Sequence, residues 1–204
     1  MSAITTAPQP AVTPPPKGAG PKPWRWTREQ YHRLGELGLF DGKRVELVRG
    51  EIVEMSPINW PHVVGTSKVG DALRATFASV GRVIEQGPHP MADSDPIPDV
   101  RVVPGQFADY TDHPQTALIV VEVADTTLAY DTTTKAELYA TAGIADYWVL
   151  DLNGRQLHVF RDPQPLPAAL NAVAYRTHDT FGPADSVAPL AAPSASILVA
   201  DLLP

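Results

Sequence analysis

Glu122 stands inside the most apolar run of the chain, Ala117-Leu118-Ile119-Val120-Val121-Glu122-Val123-Ala124. The run is short, β-branched and apolar at both parities, the pattern of a central strand covered on both faces. A carboxylate in that setting loses its water, so it needs a cation, a metal ion or strong hydrogen-bond donors beside it. Asp99 lies in the preceding extended piece, Ile97-Pro98-Asp99-Val100-Arg101-Val102-Val103, and adjacent strands can bring the two carboxylates together. On the following helix, Lys135 falls three, four and seven residues before Leu138, Tyr139 and Ala142. That spacing puts it within the inward stripe, with Glu137 nearly opposite. Two carboxylates and an ammonium at the edge of a sheet suit oxygen ligation of Mg²⁺, with the lysine stabilising or activating a water near a phosphodiester.

The elements that must carry these residues are readable at moderate detail. Thr27 and Gln30 form a capping box that opens a short helix through Tyr31, Leu34 and Leu37, ended by Gly38. Arg44–Val48 and Glu51–Met55 alternate around Arg49-Gly50, predicting a tight hairpin. A helix is expected from about Pro61 to Ala78 on Val64, Val69, Leu73 and Phe77. Val83-Ile84 is a strand signal, the Ile97–Val103 piece is stiffened by Pro96 and Pro98, and a helix over Asp131–Ala142 ends at Gly143. Tyr147–Leu150 and Gln156–Arg161 flank Asn153-Gly154, a second hairpin signal. No element is assigned over the Pro/Ala-rich stretch from Pro163 to Pro193, and Ile197–Leu203 reads as a closing strand or helix.

The chain has 204 residues, 44% of them hydrophobic, enough for one good core. Residues 1–23 are rich in Pro, Ala, Thr and Gly and are expected to form a tail, leaving 24–204 as a single domain. With no cysteine, disulfides, thiolate metal sites and cysteine nucleophiles are excluded, and a reducing cytoplasm is the expected setting. No apolar stretch approaches the roughly 20 residues of a membrane span, and residues 1–23 lack the pattern of a secretory signal. The net charge of −7 disfavours strong non-specific affinity for nucleic acid, which comes from neutralising phosphates. There is no Gly-x-Ser-x-Gly elbow and no dinucleotide fingerprint, and Gly65–Gly70 has the wrong order for a phosphate-binding loop.

Several segments together resemble the Uma-two family, a branch of the PD-(D/E)XK nuclease superfamily. They are Pro98-Asp99-Val100, Val121-Glu122-Val123, Asp131 and Lys135 with Tyr139 and Gly143, and Asp146-Tyr147-Trp148-Val149-Leu150-Asp151. Upstream, Arg44–Val53, Ser56-Pro57 and His62 are similar to the family's opening, and Val199–Leu203 to its close. The resemblance covers roughly residues 24–162. It implies an α/β, restriction-endonuclease-like core, a mixed β-sheet flanked by helices, with the N-terminal helix and β-hairpin as additions. It implies a DNA endonuclease that hydrolyses phosphodiester bonds with Mg²⁺, Mn²⁺ being able to substitute. Asp99 and Glu122 would be metal ligands, joined by the Val123 carbonyl. The superfamily's simplest motif has a lysine two residues after the glutamate, where this chain has Ala124, so Lys135 takes that role from the helix. Glu46, in the first hairpin, is a fourth catalytic candidate. The resemblance also implies a homodimer, because many enzymes of the superfamily cut duplexes as dimers.

Each residue has a competing structural assignment. Asp99 could pair with Arg101, Glu46 with Arg44 or Arg49, and Lys135 with Asp131 or with Glu122 alone. His62, at a helix start, could orient a phosphate or water, or serve as a cap or packing residue. The corresponding alternative for the whole protein is a catalytically inactive nuclease-fold protein acting as a nucleic-acid-binding or protein-interaction module.

Overall fold

A computed structural model describes residues 20–168, 170 and 172–204. Most of the expected Pro-rich tail, residues 1–19, lies outside the described residues. Helix α1 (Arg28–Glu36) opens on the Thr27/Gln30 capping box, both of whose hydrogen bonds form. Strands β1 (Val45–Val48) and β2 (Glu51–Glu54) pair antiparallel with Val48 opposite Glu51. The two-residue turn between them has φ of 51° at Arg49 and 74° at Gly50, the doubly positive geometry that matches the strand twist.

Helix α2 (Trp60–Phe77) leads to a six-stranded sheet of β3 (Gly81–Glu85), β4 (Val100–Pro104), β5 (Ile119–Ala124), β6 (Asp146–Asp151), β7 (Gln156–Pro165) and β8 (Val173–Phe181), in that spatial order. Within this sheet β5 and β6 run parallel, and the other neighbours are antiparallel. The parallel pair needs a crossover, supplied by α3 (Leu128–Tyr130), a π-helical turn (Asp131–Lys135) and α4 (Ala136–Thr141). A short pair of β9 (Ser186–Val187) and β10 (Ile197–Leu198), then α5 (Val199–Leu202), closes the chain.

Alternation along β5 sorts its side chains between two layers. Val121 and Val123 pack with Val69, Leu73 and Phe77 of α2 and with Leu202 and Leu203. Val120 and Ala124 face the other way, against Ala136 and Tyr139 of α4. Glu122 shares their parity and therefore points at the crossover helix. Helix α2 can lie close to β5 because Gly65 has no side chain: a Cβ there would sit 3.1 Å from Val123 Cγ1.

The departures from the sequence reading have physical causes. The crossover helix starts three residues before the expected Asp131, where the Thr127 carbonyl accepts the Asp131 N–H at 2.9 Å, and carries a π turn in which the Ala136 N–H reaches back five residues to the Asp131 carbonyl. The unassigned stretch from Pro163 holds the end of β7, all of β8 and β9. Pro163 and Pro165 interrupt its donor pattern, which obscures the strand in sequence, yet both residues pair with β8. The β6–β7 connection spans four residues between Asp151 and Gln156, and Arg155, at φ 51°, takes the left-handed position instead of Gly154.

Gly50 is strained by any side chain, because a Cβ would lie 2.8 Å from Arg25 Cβ and 3.2 Å from the Trp26 carbonyl oxygen. Gly50→Ala is expected to destabilise the protein by about 1–2 kcal/mol, read as a lower urea midpoint with an unchanged denaturant slope.

Candidate active site

All six of Glu46, His62, Asp99, Glu122, Val123 and Lys135 line one cleft of about 290 Å³. It opens at the carboxyl end of β5, between the hairpin, the start of α2 and the crossover helix. The opening arises where β4 and β5 stop pairing. Their ladder ends at Val100 opposite Val121, and Pro98 has no N–H with which to extend it. The freed groups bond crosswise. The Asp99 N–H donates to Glu122 Oε2 at 3.2 Å, and the Val123 N–H donates to Asp99 Oδ2 at 2.8 Å. These two bonds hold the carboxylates side by side.

Lys135, 1% exposed, reaches across the cleft floor. Its Nζ lies 2.6 Å from Glu46 Oε2 and 3.1 Å from Glu122 Oε1. Tyr139 Oη, one turn on, also donates to Glu122 Oε1, at 2.7 Å. His62 Nε2 lies 3.2 Å from Asp99 Oδ2, and its Nδ1 is 3.4 Å from Thr66 Oγ1. Asn59 caps α2 by accepting the His62 N–H at 3.0 Å, and its amide bonds Asp125 on the opposite lip.

The structural pairings weighed from sequence are mostly absent. Arg101 turns away from Asp99 and donates to the carbonyls of Pro88 and Pro114 at 2.5 and 2.7 Å. Arg49 pairs with Glu137 at 2.8 Å and Arg44 donates to the Ser56 carbonyl at 2.9 Å, leaving Glu46 to Lys135. Asp131 accepts from Thr127 Oγ1 at 2.5 Å. The Lys135–Glu122 pair does form, with Glu46 as a second partner.

Four buried carboxylates, Glu46, Asp99, Glu122 and Asp131, thus gather around the Lys135 ammonium, which pairs with Glu46 and Glu122. Burial raises Glu122 well above the carboxylate range; Lys135 opposes the shift, and Asp99, Asp131 and Glu46 add to it. Burial also raises Asp131, to about 6, against the opposing bond from Thr127. For Lys135, burial disfavours the charge, but Glu122 and Glu46 outweigh it and the pKa rises. The two carboxylates thus favour the charged form of Lys135. Tyr139 is raised by burial and by the Glu122 charge, so its hydroxyl remains a donor.

Among the described residues, no group of three or more His, Asp or Glu side chains is arranged to hold an ion. The donor set on offer is smaller: two carboxylates and nearby backbone. Mg²⁺ keeps several waters and is commonly bound through one or two carboxylates, so this donor set fits it chemically. Asp131, Asn59 and Asp125 were not singled out for the site from sequence. Asp125, immediately after β5, and Asn59, before Trp60-Pro61, carried detectable signals, as an acid at a strand end and a helix cap.

A six-stranded mixed sheet with a helix layer on each face and an acidic cleft at the end of its central strand is a restriction-endonuclease-like fold. The chain matches the Uma2 family model, described as "Putative restriction endonuclease", over residues 28–198, and it belongs to that family. A "putative nuclease belonging to DUF820" from Anabaena variabilis ATCC 29413 has a similar structure, with a TM-score of 0.66 and 16% identity over 86% of this chain and 96% of that one. The type IIG restriction endonuclease BpuSI aligns over 55% of this chain and 12% of that one at 18% identity, and its TM-score of 0.37 is too low to bear on the fold. No curated protein matches the chain. Among the described residues no helix is long and apolar enough to cross a membrane.

Because Asp131 holds its proton up to about pH 6 in the folded state and only to about 3.8 when free, the folded protein binds more protons than the unfolded chain in that window. Its contribution to stability is present below about pH 4 and is lost as pH rises to about 6. Asp131→Asn is expected to flatten that fall by on the order of 2 kcal/mol, measured as urea midpoints from pH 4 to pH 7.

Proposed function

We propose that the protein is a Mg²⁺-dependent DNA endonuclease that hydrolyses phosphodiester bonds at the Asp99–Glu122 cleft. The observation that carries this reading is the convergence of two cross-bonded carboxylates and a lysine ion-paired with Glu46 and Glu122 in a cleft open to solvent. Family membership supports the reaction class and DNA as substrate. Asp99, Glu122 and the Val123 carbonyl are the groups that would hold the ion. The chemistry Mg²⁺ supplies when bound is Lewis-acid polarisation of a phosphoryl oxygen and activation of water. Mn²⁺ would serve the same donor set.

The protein's own residues divide the remaining work. Lys135 cannot accept a proton while it is paired with two carboxylates, so it acts as a fixed positive charge toward the scissile phosphate. Glu46 holds that ammonium from the hairpin side, which keeps Nζ at the cleft floor. His62 steadies Asp99 from the start of α2. A net charge of −7 means that affinity must come from this local site and the ion, with little from a general field. Cutting both strands of a duplex calls for two such sites, and a homodimer would provide them.

Plasmid nicking in the presence of Mg²⁺ tests the proposal. Glu122→Ala and Asp99→Asn should abolish cleavage, and Lys135→Ala should lower it by about 10²–10³-fold. EDTA should stop the reaction and Mn²⁺ restore it. Absence of metal-dependent cleavage across supercoiled, linear, single-stranded DNA and RNA substrates would replace the enzyme with the inactive binding module.

A further inference from the structure

Of the two carboxylates that would hold the ion, Glu122 has one oxygen whose hydrogen-bonding capacity is spent on the protein. Glu122 Oε1 receives both Lys135 Nζ at 3.1 Å and Tyr139 Oη at 2.7 Å. Asp99 Oδ2 receives the Val123 N–H at 2.8 Å and lies 3.2 Å from His62 Nε2. A carboxylate oxygen has about two lone-pair positions, so two donors fill it. The other oxygens are freer: Glu122 Oε2 takes only the Asp99 N–H, and no described hydrogen bond reaches Asp99 Oδ1.

This asymmetry discriminates between cations. Ca²⁺ takes six to eight oxygens and often grips a carboxylate through both, whereas Mg²⁺ wants fewer ligands in a stricter octahedron and uses single carboxylate oxygens with water. A Glu122 that offers one oxygen denies Ca²⁺ its preferred grip. We propose that Tyr139 is a positioning residue for ion selectivity: by occupying Glu122 Oε1 beside Lys135, it leaves Glu122 a single oxygen to offer and favours Mg²⁺ over Ca²⁺. At Asp99, His62 Nε2 stands 3.2 Å from the same oxygen that takes the Val123 N–H and crowds it.

The surroundings of Tyr139 fit a positioned group. It is fully buried, tilted against Tyr147 with ring centroids 4.9 Å apart and edge-on to His89 at 6.2 Å. Those rings fix its plane and aim its hydroxyl at one oxygen. Removing the hydroxyl alone frees a lone pair on Oε1 with little change in packing volume, which makes Tyr139→Phe the informative variant.

The inference rests on the metal-dependent reading above, so its test is a binding measurement separate from cleavage. Isothermal titration of the full protein with MgCl₂ and with CaCl₂ gives the ratio of the two affinities. The wild type should prefer Mg²⁺, and Tyr139→Phe should shift the ratio toward Ca²⁺ by about tenfold, within the range for residues that orient metal ligands. His62→Ala, which removes the imidazole beside Asp99 Oδ2, should move it in the same direction, and it stands in if Tyr139→Phe proves unstable in a urea titration. An unchanged ratio in both variants, or a wild type that prefers Ca²⁺, overturns the selectivity role while Mg²⁺-dependent nicking leaves the nuclease reading intact. A wild type that binds neither ion and cuts nothing overturns both.

Discussion

The burial of Lys135 is the constraint on which the rest of the site depends. An ammonium that is 1% exposed is tolerable only with close carboxylates, and breaking such a pair typically costs about 3–5 kcal/mol. Two elements from distant parts of the chain meet this need. The β1–β2 hairpin brings Glu46 to 2.6 Å and β5 brings Glu122 to 3.1 Å. The hairpin is itself anchored to the body of the protein, with the Asp95 N–H donating to the Leu47 carbonyl at 2.7 Å. What looks like an N-terminal addition to the core is therefore part of the charge balance of the site. The balance is still negative after Lys135 is counted, and together with burial this pushes protons onto Glu122 and Asp131. An added cation would relieve the same excess.

The second support is the parting of β4 and β5. A sheet that continued its ladder past Val100 would hide the Asp99 and Glu122 carboxylates among backbone bonds. Proline at position 98 ends the ladder, and the crossed bonds between Asp99 and the Glu122–Val123 segment replace it. The cost of leaving backbone N–H groups unpaired is thereby avoided. Both carboxylates stay at the surface of the cleft and are fixed to within hydrogen-bond tolerance.

The placement of Lys135 on the helix beside a small strand residue has a simple steric account. Ala124 shares the parity of Glu122 and is packed with Ala136 and Tyr139 of the crossover helix. A long side chain there would compete for the volume those residues fill. With Ala at that position, the π turn at Asp131–Lys135 can approach the strand and deliver the ammonium from the helix side. A π turn adds a residue to the local repeat and re-aims the side chains beyond it, and because Lys135 and Tyr139 are four residues apart on one face, both reach the same oxygen of Glu122.

The amino-acid sequence by itself determined the elements with strong local signals. The β-branched run of β5, the Arg49-Gly50 turn, the Thr27 cap and the α2 stripe are decided by periodicity and turn chemistry over a few residues. The suspicion attached to Glu122, Asp99 and Lys135 was legible for the same reason, because a charge in an apolar pattern is a local contradiction. Strand β8 was not legible, since its residues are mostly exposed and its neighbour β7 ends in prolines; pairing with β7, not burial, makes it a strand. Nor could spacing reveal that Glu46 of the first hairpin meets Lys135 of the crossover helix, that Asp99 bonds Val123 and not Arg101, or that Tyr139 faces Glu122 rather than simple core. Those choices were made by tertiary structure, because each depends on which donors are left unpaired once the sheet, the hairpin and the crossover helix have closed around one another.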